Sequence, residues 1–233
     1  MGQPIEISDI DVFVPFRRES ANNLLIIGGD SEVAQRIALC SAFSTSTSHV
    51  EHMAKYCIFN FMRPSDSVFK EIEIFKKMPF SVDFIDNNDN FIELLSDIKF
   101  LIEDSKNGGN SLPNVYLTFF AFQFGHLFDK DDRGSTSKAS QLLDFILKQG
   151  PSAGVFTILQ VDNIDNYKRL DTSLNYFNYR VALQMSSSDS TKVVGSEAAS
   201  KLRVINRPSS KYRALFFDNN KNTMTKFKPY NMG

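Results

Sequence analysis

A glycine pair at the end of an apolar stretch is the first place in this chain where residue types and spacing could do chemistry. The stretch has the sequence Leu24-Leu-Ile-Ile-Gly-Gly-Asp-Ser-Glu-Val-Ala-Gln35. At such a point a phosphate-binding loop has the pattern G-x-x-x-x-G-K-[ST], in which the lysine contacts the β- and γ-phosphates and the hydroxyl holds Mg²⁺. Counted from Gly28 the lysine position is Ala34, and counted from Gly29 it is Gln35. Neither is a cation, so the sequence predicts a phosphate-loop architecture without its catalytic groups.

Two acids stand where such a loop would present backbone N–H groups to an anion. Asp30 and Glu32 follow the glycine pair, and negative charge at the start of a helix opposes the binding of phosphate there. We therefore expect Gly28, Gly29, Asp30, Ser31 and Glu32 to form at most a degenerate nucleotide-binding loop. A plain tight turn between a strand and a helix is the preferred interpretation.

The acid that would orient a metal ion is also missing. A hydrophobic strand is predicted over Asn114–Phe122, and it carries Phe120-Ala121 where Asp or Glu would be needed. A Mg²⁺ ion would then have neither its hydroxyl ligand nor its carboxylate ligand. The next strand ends in Gln160, Asp162 and Asn163, for which we predict helix-cap or turn roles rather than nucleotide sensing. No catalytic residue and no metal ligand is assigned.

Composition favours an ordinary intracellular globular domain. The 233 residues include 42% hydrophobic residues, 22 phenylalanines and no tryptophan, and the net charge of −1 gives no general attraction to a polyanion. Two cysteines are too few for a disulfide scaffold and fit a reducing compartment. The first residues lack a signal peptide, and no apolar run approaches the ~20 residues that span a membrane. We expect a cytoplasmic location and no membrane insertion by this segment.

Apolar runs and helical patterns alternate along the chain. Strands are predicted over Leu24–Gly28, Lys55–Phe61, Ser81–Ile85, Asn114–Phe122, Val155–Val161, Tyr179–Met185, Tyr212–Phe217 and Met224–Pro229. Several are continuous apolar runs, which are typical of strands buried on both faces of a parallel sheet.

Helices are predicted between these strands. They cover residues 32–43, 65–77, 89–104, 137–149 and 189–202. The fourth is expected to stop at Gly150-Pro151, and the fifth to break near Gly195. Residues 125–138 are polar and predicted to form a mobile loop, whereas the turn cluster 219–222 predicts a terminal β-hairpin.

The alternation of strands and helices predicts an α/β fold of three layers. Its mostly parallel central sheet would have helices on both faces and a terminal β-hairpin. The sequence has no internal repeat and no obvious linker, so residues 1–233 are predicted to form a single domain.

Six segments carry a resemblance to a known family. They are Gly2–Ile7, Phe16–Gly28, Ile146–Ile158, Phe177–Ser190, Gly195–Leu202 and Arg213–Tyr230. The fourth contains an F-x-x-R-[VI] strand followed by S-x-x-D-S. In order and spacing the segments resemble the FtsK/SpoIIIE family of RecA-like motor ATPases. The resemblance covers nearly the whole chain and is closest to the degenerate C-terminal ATPase-like module of large multi-domain members.

The resemblance implies a P-loop-type RecA-like fold within a larger multi-domain protein. Active members of the family form hexameric rings that couple ATP hydrolysis to the movement of DNA, and related type VII secretion ATPases move protein. This chain departs from the family at Val33-Ala34-Gln35, which replaces the lysine-bearing triplet, and at Phe120-Ala121, which replaces the acidic pair. Hydrolysis therefore does not carry over, and we expect neither ATP nor Mg²⁺ as a cofactor and no DNA binding by this chain alone.

Three arginines invite a functional interpretation. Arg17 and Arg18 precede the first core strand and could reach a neighbouring subunit's phosphate, as arginine fingers do. Simple ion pairs with Glu19 or Asp11 are the preferred interpretation. Arg180 lies inside a predicted strand, where a buried guanidinium needs a partner, so we predict a structural ion pair.

Other constellations are weaker. Cys40, His49, His52 and Cys57 include an H-x-x-H spacing, but both cysteines fall in apolar patterns and the spacing does not match a usual zinc site. His126 is the remaining histidine, and no G-x-S-x-G elbow supports a nucleophilic serine. We predict neither chemistry.

Three functions remain open on the sequence. The preferred one is a non-catalytic ATPase-like module that serves oligomerisation, regulation or partner docking in an FtsK/SpoIIIE-type translocase. One alternative is an active DNA translocase of the cell-division or chromosome-partitioning kind, with its lysine or acid supplied from elsewhere. Another is a substrate-recognition module of a type VII-like secretion ATPase, which predicts an exposed apolar patch or strand edge. The expected partners are other domains or subunits of the machine, including copies of the chain in a ring.

Overall fold

A computed structural model describes residues 1–4, 12–47, 54–78, 81–85, 88–108, 113–202 and 213–230. The strands in these ranges are β1 (Gly2–Pro4), β2 (Leu24–Ile27), β3 (Ala54–Asn60), β4 (Ser81–Ile85), β5 (Asn114–Phe120), β6 (Val155–Val161), β7 (Tyr179–Ala182), β8 (Ala214–Asp218) and β9 (Thr223–Pro229). The helices are α1 (Ser31–Thr47), α2 (Asn88–Lys106), α3 (Lys138–Ala153), α4 (Ile164–Tyr167) and α5 (Ser187–Val194). Short 3-10 turns cover Glu71–Lys77, Phe122–Phe124, His126–Phe128, Lys168–Leu170, Leu174–Tyr176 and Glu197–Ala199.

The strands form one nine-stranded sheet with the order β1-β9-β8-β7-β2-β6-β5-β3-β4. Every pairing from β7 to β4 is parallel, and the pairings that join β7, β8, β9 and β1 are antiparallel. The α/β fold class predicted from the sequence is confirmed, and β8 and β9 form the predicted terminal hairpin.

The central strand β2 shows why the sheet has helices on both faces. Leu25 and Ile27 pack into the core beneath α2, α3 and α5, and Leu24 and Ile26 pack into the core beneath α1. All four side chains are buried. A strand covered on both faces has no solvent side, so it is apolar at every position rather than at alternate ones.

Helix α3 continues through the predicted stop at Gly150-Pro151 and ends at Gly154, which has φ +89°. A proline in the last turn has no N–H to give to the carbonyl four residues earlier, which belongs to Leu147. The Asn23 Nδ2 donates a hydrogen bond to that carbonyl at 3.0 Å and replaces the missing donor. The predicted stop was wrong because the substitute donor, Asn23, lies far away in the sequence and no local pattern reveals it.

Other elements differ from the predictions in smaller ways. The helix expected over 65–77 is a 3-10 turn over Glu71–Lys77, and β1 was not predicted. Helix α5 ends at Gly195, as expected, with φ +73° there. The polar loop expected over 125–138 begins with the His126–Phe128 turn, because Phe128 is fully buried in the core.

Candidate functional site

The degenerate loop lies at the carboxyl end of β2, between the carboxyl ends of β7 and β6. In open α/β sheets this edge is where ligands bind, at the point where the strand order reverses. The connection from β2 to α1 consists of Gly28, Gly29 and Asp30, because α1 begins at Ser31. The site is therefore built on a connection of three residues.

Three residues are too few for a loop that wraps around phosphate groups. The pattern G-x-x-x-x-G-K-[ST] places its lysine at the seventh position, but here the helix has begun by the fourth. Both candidate lysine positions, Ala34 and Gln35, lie inside α1 and are 0% and 1% exposed. A side chain at either position points into the core and not toward a ligand at the sheet edge.

The structure separates the roles of the two glycines. Gly28 has φ +153°, and a Cβ there would lie 2.4 Å from the Leu183 Cβ. Leu183 follows β7, and its N–H donates to the Ile27 carbonyl at 2.9 Å, which brings it across the turn. Gly29 has no atom near its Cβ direction and is exposed. Close packing requires glycine only at position 28, where the partner is Leu183 at the end of β7.

Asp30 occupies the start of α1. Its Oδ1 accepts a hydrogen bond from the Val33 N–H at 3.2 Å, and its carbonyl accepts from the Ala34 N–H at 3.0 Å. These are the contacts of a helix N-cap, in which the Asp30 carboxylate uses one of the free N–H groups that would otherwise be offered to an anion. The carboxylate takes the place that phosphate would have at this helix terminus.

The other members of the loop are engaged within α1. Ser31 is its first residue, and Glu32 pairs with the Arg36 Nε at 3.2 Å. The same guanidinium contacts Glu71 through Nη1 at 2.9 Å. Arg36 is therefore held between two carboxylates, one from α1 and one from the Glu71–Lys77 turn.

At the exit of β5 the position of the metal-orienting acid is apolar. Phe120 and Ala121 are both fully buried in the core beneath α1. Ala121 has a left-handed conformation, with φ 53° and ψ 47°, and its N–H donates to the Gln160 Oε1 at 2.7 Å. In the described residues no group of three or more His, Cys, Asp or Glu side chains could hold a metal ion.

The polar residues at the end of β6 have two different roles. Asn163 is the N-cap of α4, with its Oδ1 accepting from the Asn166 N–H at 2.8 Å, and Asp162 accepts from the Asn166 Nδ2 at 2.8 Å. These match the predicted cap and turn roles. The same prediction for Gln160 was wrong, because Gln160 lies inside β6 and fastens the exit of β5 to its neighbouring strand.

Arg17 and Arg18 lie at the opposite edge of the sheet from Gly28. The Arg18 Nη2 donates to the Asn114 Oδ1 at 3.2 Å, and its guanidinium covers Gly154, so both contacts are at the amino ends of β5 and β6. No ion pair of the described residues joins either arginine to Glu19, and Asp11 lies outside them. The structure does not bring these arginines to the degenerate loop of the same chain.

Arg180 is buried without a carboxylate partner in the described residues. Its Nε, Nη1 and Nη2 donate to the carbonyls of Phe177, Val193 and Leu174 at 3.0, 2.7 and 3.0 Å. The predicted ion pair was therefore wrong. Burial lowers the pKa of the guanidinium, and the carbonyl end of α5, which carries partial negative charge, stabilises the cation.

The cysteines of the rejected zinc interpretation are separate. Cys40 is buried in α1 and Cys57 in β3, and both are free thiols. Burial raises the pKa of Cys57 to about 12 and also raises that of Cys40. His49 and His52 lie outside the described residues.

Comparisons with known proteins were made by family, by sequence and by structure. No protein-family model matches the chain, and no curated protein matches its sequence. Solved structures do match. The pCW3 conjugation coupling protein TcpA, solved as a monomer with ATPγS, has a TM-score of 0.69 at 14% identity over 93% of this chain and 62% of the TcpA chain.

Two further structures match over most of this chain. The genome packaging NTPase B204 of Sulfolobus turreted icosahedral virus 2, in complex with ATPγS, has a TM-score of 0.57 at 16% identity, covering 90% of this chain and 98% of its own. A structure of ATPases 2 and 3 of EssC from Geobacillus thermodenitrificans has a TM-score of 0.58 at 14% identity, covering 91% and 40%.

Identities of 14 to 16% establish the fold alone. The chain spans 62% of TcpA and 40% of the EssC chain, so it corresponds to part of each. In the described residues no helix has the length and apolar character to cross a membrane. These solved structures fit the family suggested by the sequence resemblance, and the chain shares their RecA-like αβα fold.

Proposed function

We propose that this chain is a non-catalytic, ATPase-like module of a larger FtsK/SpoIIIE-type machine. The observation that carries the proposal is the three-residue connection from β2 to α1, in which Asp30 caps the helix terminus that would hold phosphate. A module without a phosphate site can still contribute a rigid surface for oligomerisation, regulation or the docking of a partner.

The exit of β5 supports the proposal independently. An active site of this type needs a carboxylate there for Mg²⁺, whereas Phe120 and Ala121 are buried. The phosphate loop and the carboxylate would come from different segments of the chain, after β2 and after β5. A change that restored one of them would leave the other absent.

Nucleotide binding and turnover by the intact chain test the proposal. Isothermal titration with ATP and with a non-hydrolysable analogue is expected to show no micromolar binding, and phosphate release with Mg²⁺-ATP is expected to stay at background. Turnover that follows the protein through successive purification steps would overturn the proposal. Binding without turnover would show that Gly28–Glu32 still holds phosphate, and would restrict the proposal to the loss of hydrolysis.

A substrate-recognition module is the second candidate, and one surface favours it. Phe100 and Leu101 on α2 are 67% and 38% exposed, beside a groove of about 330 Å³ that Leu94, Ile98 and Val115 help to line. Exposed apolar surface of this kind is typical of peptide-binding grooves. The matched EssC structure contains ATPase domains, and the cytoplasmic domain of the type VII secretion ATPase EccC from Thermomonospora curvata also matches, with a TM-score of 0.53.

This candidate predicts that Phe100→Ser weakens association with a partner without unfolding the chain. A pull-down from extracts of the native host, with wild type, Phe100→Ser and Lys99→Ser as baits, tests the groove. Lys99→Ser is the control at a polar position beside it. Equal recovery of partners by all three forms would argue against the groove. An active DNA translocase remains the alternative that the phosphate-release measurement decides.

The remaining parts of the proposal concern context. We propose that residues 1–233 fold as one domain and work as part of a larger multi-domain protein. Arg17 and Arg18 are proposed to face a neighbouring domain or subunit, because they lie on the exposed amino edge of the sheet. A cytoplasmic location follows from the proposed role.

A further inference from the structure

A single arginine ties together two loops at the carboxyl edge of the sheet. Arg169 lies in the Lys168–Leu170 turn that follows β6 and α4. Its Nη1 donates to the Gln123 carbonyl at 2.6 Å, and its Nη2 donates to the Gly125 carbonyl at 3.3 Å. Its Nε donates to the Asp129 Oδ1 at 2.5 Å. All three acceptors belong to the loop that follows β5, at the edge where the metal-orienting acid is missing.

These contacts are more numerous and more buried than those of an ordinary surface ion pair. The Arg169 side chain is 21% exposed, and its planar fork reaches two main-chain carbonyls and one carboxylate. Exposed ion pairs contribute little to stability, but charge-assisted hydrogen bonds in a rigid fork are stronger and fix geometry. A lysine carries its three N–H donors on one nitrogen, so it could not reach the three separate acceptors as the wider guanidinium does.

The same segment also holds the far end of the β5–α3 loop. The Asp171 carboxylate accepts from the Thr136 Oγ1 at 3.1 Å and pairs with the Lys130 Nζ at 3.5 Å. At the near end, the Ala121 N–H donates to Gln160 of β6. The loop is therefore fastened to β6 and to the segment that follows it at its beginning, middle and end.

We propose that Arg169 is a built-in strap, which holds the loop 121–129 in one conformation without nucleotide. In nucleotide switches such segments are ordered by phosphate and Mg²⁺ and are released when these leave. Here the ordering cation is a residue of the chain, so the loop needs no bound phosphate or metal ion for its order. The claim that the loop ignores nucleotide rests on the proposed function, whereas the strap itself does not.

Hydrogen exchange on the intact chain tests the strap. The N–H groups of Phe124, Gly125, Phe128 and Asp129 all donate to carbonyls inside the loop, so their exchange rates report its opening. We expect Arg169→Gln to speed their exchange roughly ten- to hundredfold. Amides within β5 and β6 should keep their wild-type rates.

Two further variants make the comparison specific. Arg169→Lys keeps the charge but not the fork, and is expected to give an intermediate acceleration. Arg63→Gln is the matched control, because Arg63 also touches this loop, with its guanidinium 4.9 Å from the Phe124 ring centre, yet its side chain is 64% exposed. It should leave the exchange of all four amides within about twofold of wild type.

The outcomes separate the strap from the proposed function. The strap is overturned if Arg169→Gln and Arg169→Lys both exchange like wild type, or if both speed the β5 and β6 amides by the same factor as the loop. Addition of Mg²⁺-ATP to the wild-type chain should change none of these rates. If ATP does alter the loop, nucleotide binds to the chain and the proposed function is restricted to the loss of hydrolysis, while the effect of the Arg169 variants still decides the strap.

Discussion

At the scale of single residues, the structure distinguishes positions that the sequence presents as alike. Gly28 and Gly29 are adjacent and identical, but one is buried against Leu183 with a positive φ and the other is exposed with open space around it. The absence of the lysine and of the acid could be read from the sequence, because it depends on residue types alone. The sequence could not predict the contact with Leu183, because that contact depends on how β7 ends beside β2.

The glycine pair gives a matched test. Gly28→Ala should reduce the free energy of unfolding by about 2–4 kcal/mol, because the new methyl group meets Leu183 in a backbone conformation that alanine rarely adopts. Gly29→Ala should change it by less than about 1 kcal/mol. Urea denaturation of both variants gives the comparison, and equal destabilisation would contradict this account of the turn.

The buried thiol of Cys57 predicts a dependence of stability on alkaline pH. Its pKa in the folded chain is about 12, above the ordinary value of 9.0. Below pH 9 both states carry the proton, so this group has no effect on stability. Above pH 9 only the unfolded state loses the proton, so stability should fall by up to about 1.4 kcal/mol per pH unit until the folded pKa is reached.

The contribution of Cys57 can be isolated by difference. Wild type and Cys57→Ala should be compared over the range pH 8 to 11, because other buried groups titrate there too. Four buried tyrosines of the described residues also have raised pKa values: Tyr56, Tyr116, Tyr167 and Tyr179. The wild type is expected to lose more stability than the variant across that range. Parallel curves would show that the thiol does not titrate as its burial implies.

At the scale of elements, the existence of most strands and helices was predictable, and their ends were not. The run at β2 is apolar throughout and that at β6 is mostly apolar, which predicts strands buried on both faces. The N-cap role of Asp30 was not predicted, although Asp before a helical pattern is typical of a helix start. The end of α3 was not predictable, because a helix normally does not pass Gly-Pro without a substitute donor.

The end of α3 can be tested through Asn23. This side chain is fully buried; it donates to the Leu147 and Tyr176 carbonyls and accepts from the Thr157 N–H. Asn23→Ala should cost about 3 kcal/mol because three buried hydrogen bonds are lost. Pro151→Ala supplies an N–H to the Leu147 carbonyl, and should recover about 1 kcal/mol in the Asn23→Ala background.

Pro151→Ala alone is the control for this double-mutant cycle. In the wild-type background the Leu147 carbonyl already has a donor, so the change should be within about 1 kcal/mol of zero. Thermal or urea denaturation of the four forms gives the coupling. A rescue that is no larger than the effect of Pro151→Ala alone would rule out the substitution of one donor for another.

At the scale of the whole molecule, the fold of an ATPase domain surrounds a sheet edge at which the expected catalytic residue types are absent. The fold matches that of solved ATPase structures, while a capping carboxylate and buried apolar residues stand at the two key positions. The fold class was predictable because it depends on pattern along the chain. The strap of Arg169 was not, because its acceptors lie some forty positions earlier.

A lysine introduced at position 34 should not give the chain ATP hydrolysis. Ala34→Lys places an ammonium group at a fully buried position, so it should lower stability by about 3 kcal/mol or more and give no ATP turnover. Glu32→Lys adds a cation on the exposed side of the same helix. It removes the pair with Arg36 and opposes the helix dipole, so it should cost only about 1 kcal/mol. Denaturation together with phosphate release measures both, and an Ala34→Lys form that is as stable as wild type and hydrolyses ATP would refute the buried position.

The short connection from β2 to α1 has a consequence for the history of such a chain. Side-chain identity can revert by a point mutation, but loop length changes only by an insertion in frame. Under the proposed function, phosphate binding would need added residues in this connection as well as a lysine and an acid. The length of the connection therefore makes phosphate binding harder to reach by mutation than the missing side chains alone would.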